Sequence, residues 1–322
     1  MLTMRSSKGV KALVIGSTGM IGSQFKQSLK DKGFSVTGIA RSSASSRMAA
    51  IPDPDFISCD ILDEGALRKV VAKVLPDVVI HMAAQAFNGV SWDLEDLTHE
   101  TNYFGTLHVL RVCKELVPKA KILLACSSAE YGIVPSEKQP IIEDTPLKPL
   151  APYGVSKVGT ENLGYQYFLN YKMNIYLPRL FIHVGTGHPP ATMIQNFARQ
   201  CALISVGKIK PVIKVGNLDS IRDFIDVRDG VEGMSLLLKK GKPGESVNIC
   251  TQTSYSGHQI LAKLVALSGV KVKVVPDSDL MRPSDDLLLV GNNSKLKKLG
   301  WSQKYSIDET LKNVYQDWLS RI

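Results

Sequence analysis

Lys11-Ala12-Leu13-Val14-Ile15-Gly16-Ser17-Thr18-Gly19-Met20-Ile21-Gly22 carries a short apolar run into three glycines spaced three apart. The apolar run has the make-up of a buried strand, and Met20 to Lys32 reads as a helix. In the turn between them, the first glycine permits a tight reversal and the second lets backbone approach a pyrophosphate. The third lets the helix pack close to the strand. N–H groups at the helix start are then free for phosphate oxygens. A second strand, Phe34 to Ala40, follows at the spacing such a unit needs. The stretch reads as a dinucleotide site, with Gly16, Thr18, Gly19, Met20, Ile21 and Gly22 as cofactor contacts.

The end of the second strand bears on which dinucleotide. An acid there binds a ribose 2′-hydroxyl, whereas an arginine meets a 2′-phosphate. The chain reads Gly38-Ile39-Ala40-Arg41-Ser42-Ser43, with Arg47 beyond and no acid. Arg41 therefore points to NADP(H), with NAD(H) the alternative. Asp60 and Ile61, after the strand Phe56 to Cys59, are placed to read the adenine edge. Asp77 to His81 is a further apolar run leading into Met82-Ala83-Ala84-Gln85. Small residues at a strand's carboxyl end let a ligand lie against backbone, so Ala83, Ala84 and Gln85 join the cofactor set. Packing alone explains small residues there equally well.

Strands and helices go on alternating. Glu64 to Val74 and Glu100 to Leu116 read as helices, Lys121 to Cys126 as a strand, Ser156 to Tyr171 as a helix and Asn174 to Leu180 as a strand. This order implies right-handed crossovers and a doubly wound parallel sheet. After Gly185 the character changes to a smaller α+β part. It holds helices over Thr192 to Ile204, Gly257 to Ser268 and Asp308 to Leu319, and strands over Pro211 to Val215, Val247 to Cys250 and Lys271 to Val275. Arg222 to Asp229 is expected to cap another helix through Asp229, running to about Lys239. The division expected is residues 1–184, with 223–250 returning to that unit, against 185–222 and 251–322.

Composition narrows the partners. The 322 residues are 44% hydrophobic and 21% charged, which suits a well-cored globular chain. A net charge of +9 favours anionic partners, but the basic residues are scattered. No basic tract interleaved with aromatics points to nucleic acid. Five widely spaced cysteines show neither a disulfide nor a metal-ligand pattern. No apolar leader opens the sequence, and no run of about 18 apolar residues suggests a membrane span. The chain reads as cytosolic.

A second chemical constellation is Pro152-Tyr153-Gly154-Val155-Ser156-Lys157. Tyrosine and lysine four apart share one helix face. The ammonium is expected to pull the phenol below its usual value of about 10 and fit it for acid–base work.

With the glycine turn, His81-Met-Ala-Ala84, Asn102, Ser127-Ser128-Ala-Glu-Tyr-Gly132, Tyr153-x-x-x-Lys157 and Arg222-Asp223 in view, the chain resembles the extended short-chain dehydrogenase/reductases that act on nucleotide sugars. Gly216-Asn-Leu-Asp219, Arg282-Pro-Ser284, Asn293-Ser-Lys-Leu and Leu299-Gly-Trp301 are similar to the branch holding GDP-mannose 4,6-dehydratase and GDP-4-keto-6-deoxy-D-mannose reductase. The resemblance implies a Rossmann-type sheet with a smaller substrate domain and a homodimer through a four-helix bundle. It implies Ser127, Tyr153 and Lys157 as catalytic residues, with Asn102, Tyr153 and Lys157 also on the cofactor. Gln85, Ser127, Ser128, Arg179, Asn196, Arg222 and Arg282 would contact a nucleotide sugar, with guanine as the base the resemblance implies. No metal is implied.

Within that family a 4,6-dehydratase places a glutamate two residues after the catalytic Ser or Thr, to take the C5 proton. Ala129 stands there. Glu130, one residue on, would point to the opposite face if the segment were a strand. Reduction of a 4-keto group needs only hydride, the Tyr153 proton and Ser127, so it is the favoured reading. A 4-epimerase uses the same triad with tightly held NAD, which Arg41 disfavours. The family commonly reads Pro-Phe-Asn-His after the arginine, whereas this chain has Leu180-Phe181-Ile182-His183. That departure weakens the GDP assignment. A binding protein without catalysis is the reading that the intact triad opposes.

Overall fold

The computed structural model describes residues 9–42, 54–281 and 287–322. The first half of the chain gives β1 (Lys11–Ile15), α1 (Met20–Asp31), β2 (Ser35–Ala40), β3 (Phe56–Ser58), α2 (Glu64–Val74), β4 (Val78–His81), α3 (Glu95–His99), α4 (Gly105–Leu116), β5 (Lys121–Leu124), β6 (Cys126–Ser127), α5 (Pro152–Tyr171) and β7 (Asn174–Leu180). The second half gives β8 (Ile182–Val184), α6 (Met193–Ser205), β9 (Val212–Val215), β10 (Ile221–Asp226), α7 (Val227–Lys240), β11 (Ser246–Ile249), β12 (Ser254–Ser256), α8 (Gly257–Ser268), β13 (Lys273–Pro276), β14 (Leu288–Leu289), α9 (Ser294–Lys298) and α10 (Ile307–Arg321).

The main sheet is parallel and runs β3-β2-β1-β4-β5-β7-β11, with the two-residue β6 also on β7. Side-chain alternation along β1 builds both cores. Leu13 and Ile15 pack with Leu67 and Val71 of α2 and Leu110 and Cys113 of α4. Ala12 and Val14 face Phe25 and Leu29 of α1 and Met234 and Leu237 of α7. Strands buried on both faces explain why β1, β4 and β5 read as unbroken apolar runs. This is a Rossmann-type doubly wound sheet, and its order reverses between β1 and β4, where such folds place their ligand crevice.

The remaining elements form two small sheets, β8, β10, β12 and β14 together and β9 with β13, backed by α6, α8 and α10. β10 joins the two parts. Its Ile225 enters the core under the main sheet, and the neighbouring Phe224 enters the core of the smaller part. Among the described residues, no helix is long and apolar enough to cross a membrane. All five cysteines are free, buried thiols.

Several elements differ from the sequence reading. The helix expected from Glu100 is already helical at Glu95 and passes through a π turn, Glu100–Phe104, before α4. α5 starts at Pro152, because proline at the first helical position gives up an N–H that has no helical partner anyway. Arg222 to Asp226 is strand, and the cap of α7 is Asp226, whose side chain accepts from Arg228 N. Asp229 instead accepts from the backbone N–H groups of Lys304 and Tyr305, tying the last segment of the chain to α7.

Candidate active site

The glycine turn is built as its spacing requires. Gly16 has φ +85°, and a Cβ there would lie 2.6 Å from Ala83 N, so β1 and the loop after β4 touch through bare backbone. A Cβ on Gly22 would sit 2.1 Å from Gly16 O, which forces a glycine where α1 crosses the turn. Gly19 is different. It is exposed, and a Cβ there would meet only Gly16 O at 3.5 Å. Gly19 is also the N-cap of α1, no side chain caps the helix and its first turn holds no acid. A helix N-terminus with uncapped N–H groups and an accessible backbone approach fits a diphosphate. The donor set thus suits a dinucleotide. Arg41 is exposed just past β2, where a 2′-phosphate would be met.

Other residues read as cofactor contacts take different places. Ile61 is buried in the core against Gly105 of α4, and Asp60 accepts from Leu62 N at 3.0 Å. Gln85 turns its amide into its own loop, accepting from Phe87 N at 2.6 Å and donating to Thr98 Oγ1 at 3.0 Å. Asn102 is buried in the π turn. It accepts from Gln85 N at 2.8 Å and donates to Gln85 O at 3.1 Å and Ser156 Oγ at 2.9 Å. Its carbonyl accepts from Thr106 Oγ1 at 2.6 Å and Thr160 Oγ1 at 3.0 Å. The π turn thereby fastens the loop after β4 to α5, and both amides act as braces.

The end of β5, the short β6 and the start of α5 hold the residues read as the acid–base group. β5 and β6 are separated by Ala125, whose carbonyl accepts from Lys157 Nζ at 2.8 Å. That bond holds the lysine one helical turn from Tyr153, with Nζ 5.9 Å from the phenol ring centroid. Ser127 ends β6, and its hydroxyl lies near enough to the Tyr153 phenol to favour the ionised form. The three residues read as catalytic are therefore together.

Their electrostatics overturn one expectation. Burial pushes the Tyr153 phenol up to about 12, with the Ser127 hydroxyl pulling the other way. Burial also lowers Lys157 from its usual value. Desolvation thus outweighs the neighbouring ammonium, and the phenol is held as a proton donor.

Glu130 is placed by a feature the strand assumption missed. Ser128–Glu130 is a 3-10 turn, not a strand, and Ser127 is its N-cap. The Glu130 carboxyl folds back to accept from Ser127 N at 2.6 Å, while Ser127 Oγ accepts from Ala129 N at 3.1 Å. Ser127-x-x-Glu130 is a capping box, and that S-x-x-E pattern stands plainly in the sequence.

Among the residues read as substrate contacts, Arg179 is structural. Its Nε and Nη2 hold Glu161 at 2.8 and 2.5 Å, and its Nη1 donates to Tyr131 Oη and Glu143 O. A guanidinium so engaged and buried has one N–H left, so the substrate role falls away for this residue. Ser128 is buried in the turn, Asn196 is half-buried in the first turn of α6, and Arg222 is buried in β10. Arg282 lies outside the described residues. A cleft of about 480 Å³ lies between Gly216–Asp219, His258 at the start of α8, and Val274 and Pro276 of β13, apart from the triad.

A sequence profile of the GDP-mannose 4,6 dehydratase family matches residues 13–314. The chain belongs to this family. GDP-6-deoxy-D-mannose reductase of Pseudomonas aeruginosa is 29% identical over 264 residues, 82% of this chain and 86% of the relative. GDP-mannose 4,6 dehydratase 2 of Caenorhabditis elegans is 30% identical over 340 residues, 94% and 87% of the two chains. The solved structure of RMD from Pseudomonas aeruginosa complexed with NADPH shares the fold with a TM-score of 0.85 at 27% identity, covering 97% of this chain and all of the other. The family thus includes relatives named for dehydration and for reduction, and this chain is an enzyme of its nucleotide-sugar chemistry. In this chain the turn after Ser127 carries Ala129, which brings no acid–base group.

Proposed function

We propose that the protein is an NADPH-dependent reductase of the 4-keto group of a nucleotide-linked 4-keto-6-deoxy sugar, GDP-linked in the first instance. One observation carries the reading. The Ser127–Glu130 turn beside Tyr153 has alanine at position 129, and its one carboxyl, Glu130, is folded back onto Ser127 N. Dehydration needs a carboxylate facing sugar C5, and reduction does not.

When bound, NADPH supplies hydride. The chain's own residues do the rest. Tyr153, a phenol at neutral pH, gives its proton to the oxygen of the carbonyl being reduced. Ser127 donates to the same oxygen as charge develops. Lys157, held by the Ala125 carbonyl, offers its remaining N–H groups toward the nicotinamide ribose and the phenol. Gly19 and the first turn of α1 hold the diphosphate, and Arg41 meets the 2′-phosphate.

A homodimer belongs to the same reading. Val155, Tyr165 and Leu169 of α5 and Phe104 beside α4 are exposed apolar side chains, and a second copy would cover them.

Incubation with NADPH and GDP-4-keto-6-deoxy-mannose is expected to oxidise the cofactor in step with loss of the ketone, and NADH is expected to work far less well. GDP-mannose converted to its 4-keto-6-deoxy product by the protein would make it a dehydratase. Activity only with a recycling bound NAD would make it an epimerase.

A further inference from the structure

Beneath Ser127 lies a buried group that the chemistry above does not use. Glu130 has no exposed surface, and only one of its oxygens has an evident partner. Oε1 accepts from Ser127 N at 2.6 Å, whereas Oε2 is 3.9 Å from Arg179 Nε. Arg179 gives its short bonds to Glu161, which also accepts from Ser246 Oγ at 2.8 Å. Oxygens of Glu130 and Glu161 and the Cys126 sulfur lie within 4.8 Å of one another. Two buried carboxyls therefore share one guanidinium. A second anion there would have no counter-ion nearer than a guanidinium already committed to Glu161, and burying it would be costly. A proton on Oε2, directed at Glu161, removes that cost and leaves Oε1 free to accept from Ser127.

We propose that Glu130 is the positioning residue of the acid–base pair: a neutral carboxylic acid that donates from Oε2 to Glu161 and clamps the Ser127 backbone N–H from Oε1, so fixing the Ser127 hydroxyl toward Tyr153. The proposal rests on the reading that Ser127 and Tyr153 carry the chemistry. Its direction agrees with the electrostatics, because burial first and the Glu161 charge second raise the Glu130 carboxyl well above the ordinary range. Arg179 holds Glu161 low, against the desolvation that opposes it.

The groups facing Glu130 are Cys126 on β6, Tyr153, Lys157 and Glu161 on α5, and Arg179 on β7. A charged Glu130 would disfavour ionisation of the Tyr153 phenol and hold the lysine ammonium more tightly. Neutrality keeps this carboxyl from adding a negative charge under a serine that must stabilise one. The clamp also explains why a three-residue turn can hold the Ser127 hydroxyl in register. The 3-10 turn has few bonds of its own, and the capping box supplies the missing ones.

The test compares the intact wild-type chain with Glu130→Gln and Glu130→Leu. Infrared spectroscopy at neutral pH is expected to show a protonated-carboxyl band in wild type that is absent from Glu130→Gln. Amide exchange at Ser127, read by NMR, is expected to be slow in wild type and Glu130→Gln and at least about ten-fold faster in Glu130→Leu. With the 4-keto substrate, kcat is expected to fall about 10–100-fold in Glu130→Leu with KM nearly unchanged, and Glu130→Gln to recover most of it, because the amide keeps both bonds. No protonated band, or wild-type exchange and kcat in Glu130→Leu, would overturn the proposal. If no keto sugar is reduced by any form, the reaction reading fails while infrared and exchange still judge the clamp. If Glu130→Leu does not fold, those two measurements on wild type and Glu130→Gln decide it.

Discussion

Tyr153 shows how far one residue can be read from its neighbours in sequence. Spacing of four put Tyr153 and Lys157 on one face of a helix, and α5 holds both. The sign of the pKa shift was not legible, because it depends on the protein packed around the hydroxyl. Burial pushes the phenol up to about 12, with Ser127 opposing. A group that must donate a proton is active below its pKa. Reductive turnover is therefore expected to stay level between about pH 6 and pH 9 and to fall only at higher pH. Tyr153→Phe is expected to lower kcat by about 10³-fold while NADPH affinity stays within about two-fold, since the ring and its packing remain. Stopped-flow rates across pH and a fluorescence titration of NADPH check both. A rate that climbs from pH 6 to pH 9 would mean that the phenolate is the working form in this direction.

At the scale of elements, the turn between β1 and α1 separates two kinds of glycine. Gly22→Ala would gain about 1 kcal/mol in helix propensity but drive a Cβ to 2.1 Å from Gly16 O. Overpacking against backbone costs about 1–3 kcal/mol, so the clash wins. Gly19→Ala meets nothing closer than 3.5 Å and is expected to stay within about 1 kcal/mol of wild type. Both variants are expected to lose NADPH affinity by more than about ten-fold, because each blocks or shifts the N–H groups that meet the phosphates. Thermal melts and binding titrations distinguish them, and tight NADPH binding by Gly19→Ala would remove the phosphate site from this turn. The same contrast explains what was legible. Strands buried on both faces and helices with local caps leave their pattern in the sequence. The π turn at Asn102, the 3-10 turn at Glu130 and the short strands β8, β12 and β14 depend on partners far along the chain. Asp226 and Asp229 are both acids near one helix start, and only the extended backbone at Asp226 makes it the cap. Arg179 read as a substrate contact because an arginine alone does not show that Glu161, eighteen residues away, already holds it.

For the whole molecule, buried ionisable groups link folding to pH in opposing directions. His81 donates from Nε2 to Thr106, since that hydroxyl gives its own proton to Asn102 O, and Nδ1 has no hydrogen-bond partner. Burial first, with Lys157 second, lowers this ring to about 3, and burial lowers His183 to about 4. Each ring is neutral in the fold and charges near 6.5 when unfolded, so its contribution to stability is full above that value and is lost as pH falls. Glu130 works the other way. Its folded pKa lies well above the ordinary 4.5, so the folded state holds a proton that the unfolded chain releases as pH rises past that point. Stability from Glu130 is therefore present at low pH and is lost as pH climbs, by about 1.4 kcal/mol per unit until the folded carboxyl ionises. Glu130→Gln deletes this one dependence and leaves the histidines and other carboxyls in place. Urea unfolding at about pH 5, 6 and 7 is expected to show the variant gaining on wild type by about 1.4 kcal/mol for each unit of rising pH. The starting offset between the two proteins reflects the altered bonds and does not enter, because the difference in slope alone counts protons. Parallel curves across that range would mean that Glu130 is ionised in the folded protein, and the neutral clamp beneath Ser127 would have to be abandoned.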